Sequence, residues 1–269
     1  MSTSLSLRFL GVGNAQAIEL GASAAVLEQQ GTPLLLIDCG PDTLSRFRES
    51  YAGIEPPALF ITHPHFDHIG GLEGWFYRLM TLPLVLPPKL FVPVKLLPVI
   101  QSRIADYPNM LAEGGSNFWD AFQLIPVSER FWHGNMLFDV FPVRHHEHDT
   151  AFGLALKGRF LYTGDTRPIP EVLIRYASRG ETIFHDCATD TNPSHTALSD
   201  IRREYRPEQW RRMVFYHYGS VEDRRMIEAE GFQAARYGAI YSLAAEADHP
   251  SSGNASLPTF DNPQRLDVN

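Results

Sequence analysis

Cysteine is scarce in this 269-residue chain: only Cys39 and Cys187 are present, far apart in sequence. With no short-spaced pair there is no basis for a disulfide scaffold, and two isolated thiols suit a reducing compartment. Long apolar runs are also missing, although a membrane-spanning helix needs roughly 20 such residues. The first apolar stretch is short and carries Arg8, so it reads neither as an export signal nor as an anchor. A cytoplasmic protein, with no membrane partner, is the expectation. Positive charge is in deficit: 23 Lys and Arg face 31 Asp and Glu, for a formal charge of -8. An acidic chain repels polyanions at long range, which counts against extended nucleic acid as a partner. A small phosphate ligand stays compatible, because bound cations invert the local field.

What is present is an ordinary globular balance, with 44% hydrophobic and 20% charged residues, and an alternation of strand-like and helix-like segments. Leu5–Leu10, Ala24–Glu28 and Leu34–Cys39 read as strands, with 11–21 as a loop. Gly40-Pro41 stops the third strand, and Asp42 or Thr43 caps a helix running to about Tyr51. Ala58–Thr62 is a further strand, and Gly70-Gly71 precedes a helix through Met80. The proline-rich stretch 83–98 is expected to hold only short extended pieces. Phe138–Val143, Phe152–Leu156, Phe160–Thr163, Thr182–Phe184 and Met213–Tyr216 read as strands, and Pro170–Ser178, Leu198–Tyr205 and Val221–Ala229 as helices. Residues 1–243 form one domain in this reading, and 244–269, rich in Ser, Pro, Asn and Asp, a polar C-terminal tail.

Chemistry gathers just after strand ends, where open sheets carry their functional loops. In Thr62–Gly71, His63 and His65 are two apart in an extended segment stiffened by Pro64, so both imidazoles face one side. Asp67 and His68 follow where the chain turns toward a helix. Three imidazoles and a carboxylate so close together suit Zn²⁺ or another borderline divalent metal. Two ions need more ligands. Asp165, after the Phe160–Thr163 strand, can bridge both; His217, after Met213–Tyr216, can complete the second. The run Arg144-His145-His146-Glu147-His148 must supply one more imidazole. Strand parity with Phe141 and Val143 favours His145, with His146 and His148 as the alternatives.

The segments HPHFDHIGG (63–71), LYTGDT (161–166) and FYHYGS (215–220) resemble successive motifs of the metallo-β-lactamase superfamily. FLGVGNA (9–15) and LLIDCGPDT (35–43) resemble its first strands. The resemblance implies a four-layer αββα sandwich with metals at one edge of two sheets. FLGVG, Asp67 and HTALSD (195–200) are most similar to the ribonuclease Z-like and phosphodiesterase branch. It implies a dinuclear metallohydrolase that cleaves phosphodiesters. Its ligands would be His63, His65, Asp67, His68, His145, Asp165 and His217, and its cofactors two divalent ions, Zn²⁺ by default with Mn²⁺ or Fe²⁺ as alternatives.

Three residues form the expected catalytic set. Asp67 serves at the metals, His195 is the candidate general acid for the leaving alkoxide, and Asp186 is its orienting partner. The sequence His185-Asp186 departs from the branch's His-Glu pair. His133 and His249 are read as exposed, Asp38 as either a cap or a brace for the metal loops, and the aromatic groups around Trp75 and Phe118 as core or dimer contact. His145 and Asp165 stand too close together for the long arm with which ribonuclease Z enzymes grip transfer RNA. A small substrate is therefore expected, such as a cyclic nucleotide, in a protein that resembles small diesterases which are often homodimers. Alternatives are a tRNA 3′-processing-like endoribonuclease, a lactone or thioester hydrolase, and a non-catalytic metal-binding member.

Overall fold

The structure, a computed structural model, describes residues 4–83, 85–106 and 115–243. The expected tail from 244 onward, and His249 within it, lie outside the described residues.

β1 (Leu5–Gly11), β2 (Ala24–Gln29) and β3 (Thr32–Ile37) form an antiparallel meander. β4 (Ala58–Phe60), β5 (Lys89–Pro93) and β6 (Gln123–Val127) continue the sheet in parallel. A second sheet holds β7 (Arg130–His133), β8 (Met136–Pro142), β9 (Phe152–Leu156), β10 (Phe160–Tyr162), β11 (Thr182–Asp186), β12 (Met213–Tyr216) and β13 (Gln233–Ala234). β14 (Ile240–Leu243) returns to the first sheet and pairs antiparallel with β1, so each sheet has seven strands. The helices are α1 (Thr43–Ser50), α2 (Phe66–Ile69), α3 (Leu72–Leu79), α4 (Leu97–Ile100), α5 (Pro170–Tyr176), α6 (Leu198–Glu204), α7 (Pro207–Trp210) and α8 (Val221–Ala229). None of the described helices is long and apolar enough to cross a membrane.

The sheets face one another through aromatic side chains. Phe9 of β1 meets Phe184 and Tyr216 of the second sheet, each at 5.6 Å between ring centroids. At the other end Phe91 of β5 stacks on Phe131 of β7 at 4.2 Å. Strands β4, β9, β10 and β12 are buried along their whole length. That follows from a sheet covered on one face by its partner and on the other by helices, and it explains their unbroken apolar runs. Outside, α1 buries Leu44 and Phe47, α3 buries Trp75 and Phe76, and α8 buries Ile227. The architecture is the expected αββα sandwich. Trp75, Phe76, Phe118 and Phe122 belong to its buried core.

Several local expectations are corrected. β3 ends at Ile37, because Asp38 adopts φ +64° and turns the chain out of the sheet. The proline-rich stretch is not only extended: after β5, Pro98 sits in the first turn of α4, where its missing N–H costs nothing. β6, β7, β13 and β14 were not expected at all. His133 is half-buried in β7 rather than exposed, and its Nε2 donates to the Leu34 carbonyl at 2.9 Å.

Candidate functional site

The loops that leave β4, β8, β10 and β12 meet at one edge of the sandwich and bring all seven expected ligands together. His63, His65, His145 and Asp165 offer four donor atoms within 4.8 Å of one another, and Asp67, His68, Asp165 and His217 offer a second such set. Asp165 belongs to both. Its Oδ2 lies 3.6 Å from His63 Nε2, 3.8 Å from His145 Nε2, 3.3 Å from His68 Nε2 and 3.1 Å from His217 Nε2. Asp67 Oδ2 is 3.4 Å from His68 Nε2 and 3.3 Å from His217 Nε2. Strand parity favours His145 within the histidine run. His145 enters the donor set; His146 approaches His65 from the outer side at 2.6 Å; His148 is exposed and pairs with Asp149.

Local backbone explains the convergence. Gly40 brings the loop after β3 against the histidine loop: a Cβ there would fall 2.2 Å from the Asp67 carbonyl oxygen. Hydrogen bonds from Cys39 N to His68 O (2.7 Å) and from Gly71 N to Cys39 O (2.9 Å) then tie the loops together. Asp38, fully buried, acts as the brace. It binds His68 Nδ1 at 2.7 Å, and accepts from Thr62 N at 2.8 Å and Thr62 Oγ1 at 2.7 Å. His145 is held the same way, its Nδ1 donating to the Ser194 carbonyl at 2.8 Å. In both rings Nδ1 is engaged, so Nε2 is the atom turned to the centre. Asp38 and His217 both have positive φ, +64° and +67°, a conformation unusual outside glycine.

The electrostatics sort the histidines into two kinds. Burial pushes His63 well below the usual range, aided by His68, and pushes His65 down to about 4, aided by His145 and His146. Burial lowers His145 as well. These shifts favour the neutral form of all three imidazoles, whose ring nitrogens gather around Asp165. For His68 and His217 burial opposes protonation, but carboxylates outweigh it. Asp165 and Asp38 raise His68 well above its usual value, and Asp165, with Asp186 and Asp67, raises His217 to about 10. Asp165 itself is buried, which works against ionisation, yet His217, His68 and His63 hold it well below the carboxylate range. The carboxylates thus favour positive charge at the second set, and a dication there would supply it in place of protons. Two buried atoms, His68 Nε2 and Asp165 Oδ1, lack a hydrogen-bond partner among the described residues, which native interiors rarely tolerate. Divalent cations fit this donor set.

His195 stands beside it, on the loop before α6. Its Nδ1 lies 2.8 Å from Asp186 Oδ2, an oxygen that also accepts from Thr166 N at 2.9 Å. Burial would lower the His195 pKa, but the Asp186 carboxylate prevails and raises it. His185, the neighbour of Asp186, points elsewhere: it is buried and engages Tyr205 Oη at 2.8 Å. A cavity of about 290 Å³ opens over the cluster, lined by His65, Asp67, Asp165, His195 and His217 together with Asn14, Gln16 and Asn192. The last three were not singled out from the sequence, nor were Thr62 and Ser194. Their only signal was proximity in sequence to a motif.

A family model described as Anti-Pycsar protein Apyc1 matches residues 5–241. A relative of that name from Paenibacillus harenae is 29% identical over 231 residues, covering 82% of this chain and 92% of the relative. Another from Bacillus phage BSP38 is 25% identical over 268 residues, covering 88% and 98%. The solved metallo-beta-lactamase fold protein YhfI from Bacillus subtilis superposes with a TM-score of 0.69 at 14% identity, over 89% of this chain and 99% of that one, a likeness of fold. With the fold established by its two sheets and the family match spanning both, the chain belongs to the anti-Pycsar protein Apyc1 family of the metallo-β-lactamase fold.

Proposed function

We propose that this chain is a metal-dependent phosphodiesterase that hydrolyses a small cyclic nucleotide. The observation that carries the reading is the pair of four-donor sets sharing Asp165, with a carboxylate-held imidazole at their side. His63, His65 and His145 would hold one ion, Asp67, His68 and His217 the other, and Asp165 would link them; the donor mix favours zinc, with manganese or iron as alternatives. When bound, such a pair supplies Lewis acidity to phosphoryl oxygens and lowers the pKa of water toward ~7. The chain's own groups do the rest. His195, its Nδ1 fixed by Asp186, presents Nε2 to the cavity and donates a proton to the departing alkoxide oxygen. Asp38 and the Ser194 carbonyl keep His68 and His145 in the tautomer whose Nε2 lone pair faces the ions.

Substrate size follows from the site's surroundings. The residues between His145 and Asp165 are taken up by β9 and β10, inside the sheet, which leaves no arm to grip an RNA. A cavity of about 290 Å³ suits a single nucleotide-sized phosphodiester, and the acidic net charge of -8 disfavours a polyanion. The test is hydrolysis of a panel of cyclic mononucleotides and dinucleotides by purified protein loaded with zinc, manganese or iron, with metal content measured in parallel. Turnover of at least one panel member at about two ions per chain is expected. No turnover across the panel, beside robust cleavage of a lactone or thioester, would move the activity to carbon esters.

A further inference from the structure

Next to the reaction cavity lies a second cleft, of about 360 Å³, that the chemistry above does not use. Ala17, Ile18, Pro41 and Phe66 line it, and it shares Asn14, Ala15 and Asp67 with the reaction cavity. Two of its large apolar side chains face solvent to an unusual degree: Ile18 is 87% exposed and Phe66 65%. Phe66 sits between His65 and Asp67, so its distance from the reacting centre is fixed by the backbone that carries two proposed ligands. Its ring also rests against Gly70, where a Cβ would come within 2.8 Å of the ring edge. The cleft offers few free polar groups. The Asp42 carboxylate in it is already committed to Ala22 N at 3.1 Å and to Arg46 Nε at 2.6 Å. At the rim, Asn14 Oδ1 accepts from Gln16 N at 3.0 Å.

Building on the cyclic-nucleotide reading, we infer that this cleft is the nucleobase subsite. The base stacks on the Phe66 ring and against Ile18, while the phosphodiester reaches across the Asn14–Ala15 rim to the paired donor sets. An exposed aromatic ring and an exposed aliphatic side chain lining one cleft, which shares its rim with the reaction cavity, suit a planar base joined to its phosphate through a sugar. Stacking on one aromatic ring changes affinity by roughly fivefold to more than a hundredfold per base. Phe66 thus sets affinity for the base, and the chemical step remains with the residues beyond the rim.

The experiment compares a 3′,5′-cyclic nucleotide with the same ribose cyclic phosphate lacking its base, in wild type, Phe66→Ala and Phe66→Tyr. Wild type should prefer the base-bearing substrate by about tenfold or more in kcat/KM. Phe66→Ala should raise KM for that substrate by about tenfold, with kcat within about twofold and with the base-free substrate unaffected; Phe66→Tyr should restore the preference. Equal losses on both substrates, or no change in KM, would overturn the subsite. Should wild type hydrolyse neither compound, the phosphodiesterase reading fails separately. The subsite is then decided by calorimetric binding of a nucleoside 5′-monophosphate against ribose 5-phosphate, where equal affinities in wild type refute it.

Discussion

At the scale of single residues, the proposed chemistry separates groups that would hold ions from groups that would move protons. His195 Nδ1 is held by Asp186, and His195 also forms a group with Asp165, Asp186 and His217 whose donor atoms lie within 4.8 Å, but in the proposed chemistry it acts as the acid rather than as a ligand. His195→Ala should therefore lower kcat by ~10²–10⁴ while leaving metal content unchanged. Loss of metal in the variant, or an unchanged kcat, would defeat the assignment. Asp38 is the reverse case, since it never reaches the cavity and acts through His68 Nδ1. Asp38→Asn keeps an acceptor for Thr62 N but weakens the partner of the imidazole. Metal affinity should fall about 10- to 100-fold, as measured by competition with a chromophoric chelator, with the fold retained. The seven clustered residues were legible in the sequence because each is a chemically distinctive side chain placed just past a strand. Ser194 and Thr62 were not legible. Ser194 contributes a backbone carbonyl and Thr62 a hydroxyl that only bridges Asp38 and His63, and nothing in residue type marks either role.

Secondary-structure elements were readable where burial is two-sided. β12, MVFY, is buried throughout and ends at His217, so both its existence and its end are marked. β14, IYSL, is an edge strand with exposed and buried residues mixed, and β13 is two residues long; too little periodicity survives in either. The join between elements also includes a polar cluster that the sequence did not announce. Glu28 of β2, 1% exposed, accepts from Ser6 Oγ at 2.8 Å and Arg8 Nε at 2.7 Å on β1, and from Tyr51 Oη at 2.6 Å after α1. Burial alone would raise its pKa, but these donors prevail and lower it. A carboxyl with a depressed folded pKa stabilises the fold above its unfolded value, about 4.3, and that contribution is lost as pH falls through the folded value. Glu28→Gln should thus cost about 1–3 kcal/mol at pH 7 by urea unfolding, and the gap from wild type should narrow below about pH 4. A gap that persists unchanged at pH 3 would show that packing, not charge, matters there.

Over the whole molecule, the donor sets lie across the seam between the two sheets. His63, His65, Asp67 and His68 come from the loop after β4 in the first sheet, whereas His145, Asp165 and His217 follow β8, β10 and β12 in the second. Four carboxylates, those of Asp38, Asp67, Asp165 and Asp186, are buried at that seam. Cations bound there would cross-link the layers and neutralise the buried charge, which would couple metal binding to sheet-to-sheet packing. Ligand present at a thousandfold over its dissociation constant stabilises the native state by about 4 kcal/mol. For a domain of this size each kcal/mol moves Tm by about 2–4 °C. Exhaustive chelation should therefore lower Tm by about 10 °C, and re-addition of zinc should restore it. Asp165→Asn, which removes the carboxylate common to both sets but leaves three proposed ligands in each, should show a smaller response to both treatments. A wild-type Tm indifferent to chelator, in protein verified by metal analysis to have started loaded, would mean that the ions sit outside the seam and that the shared-carboxylate arrangement is wrong.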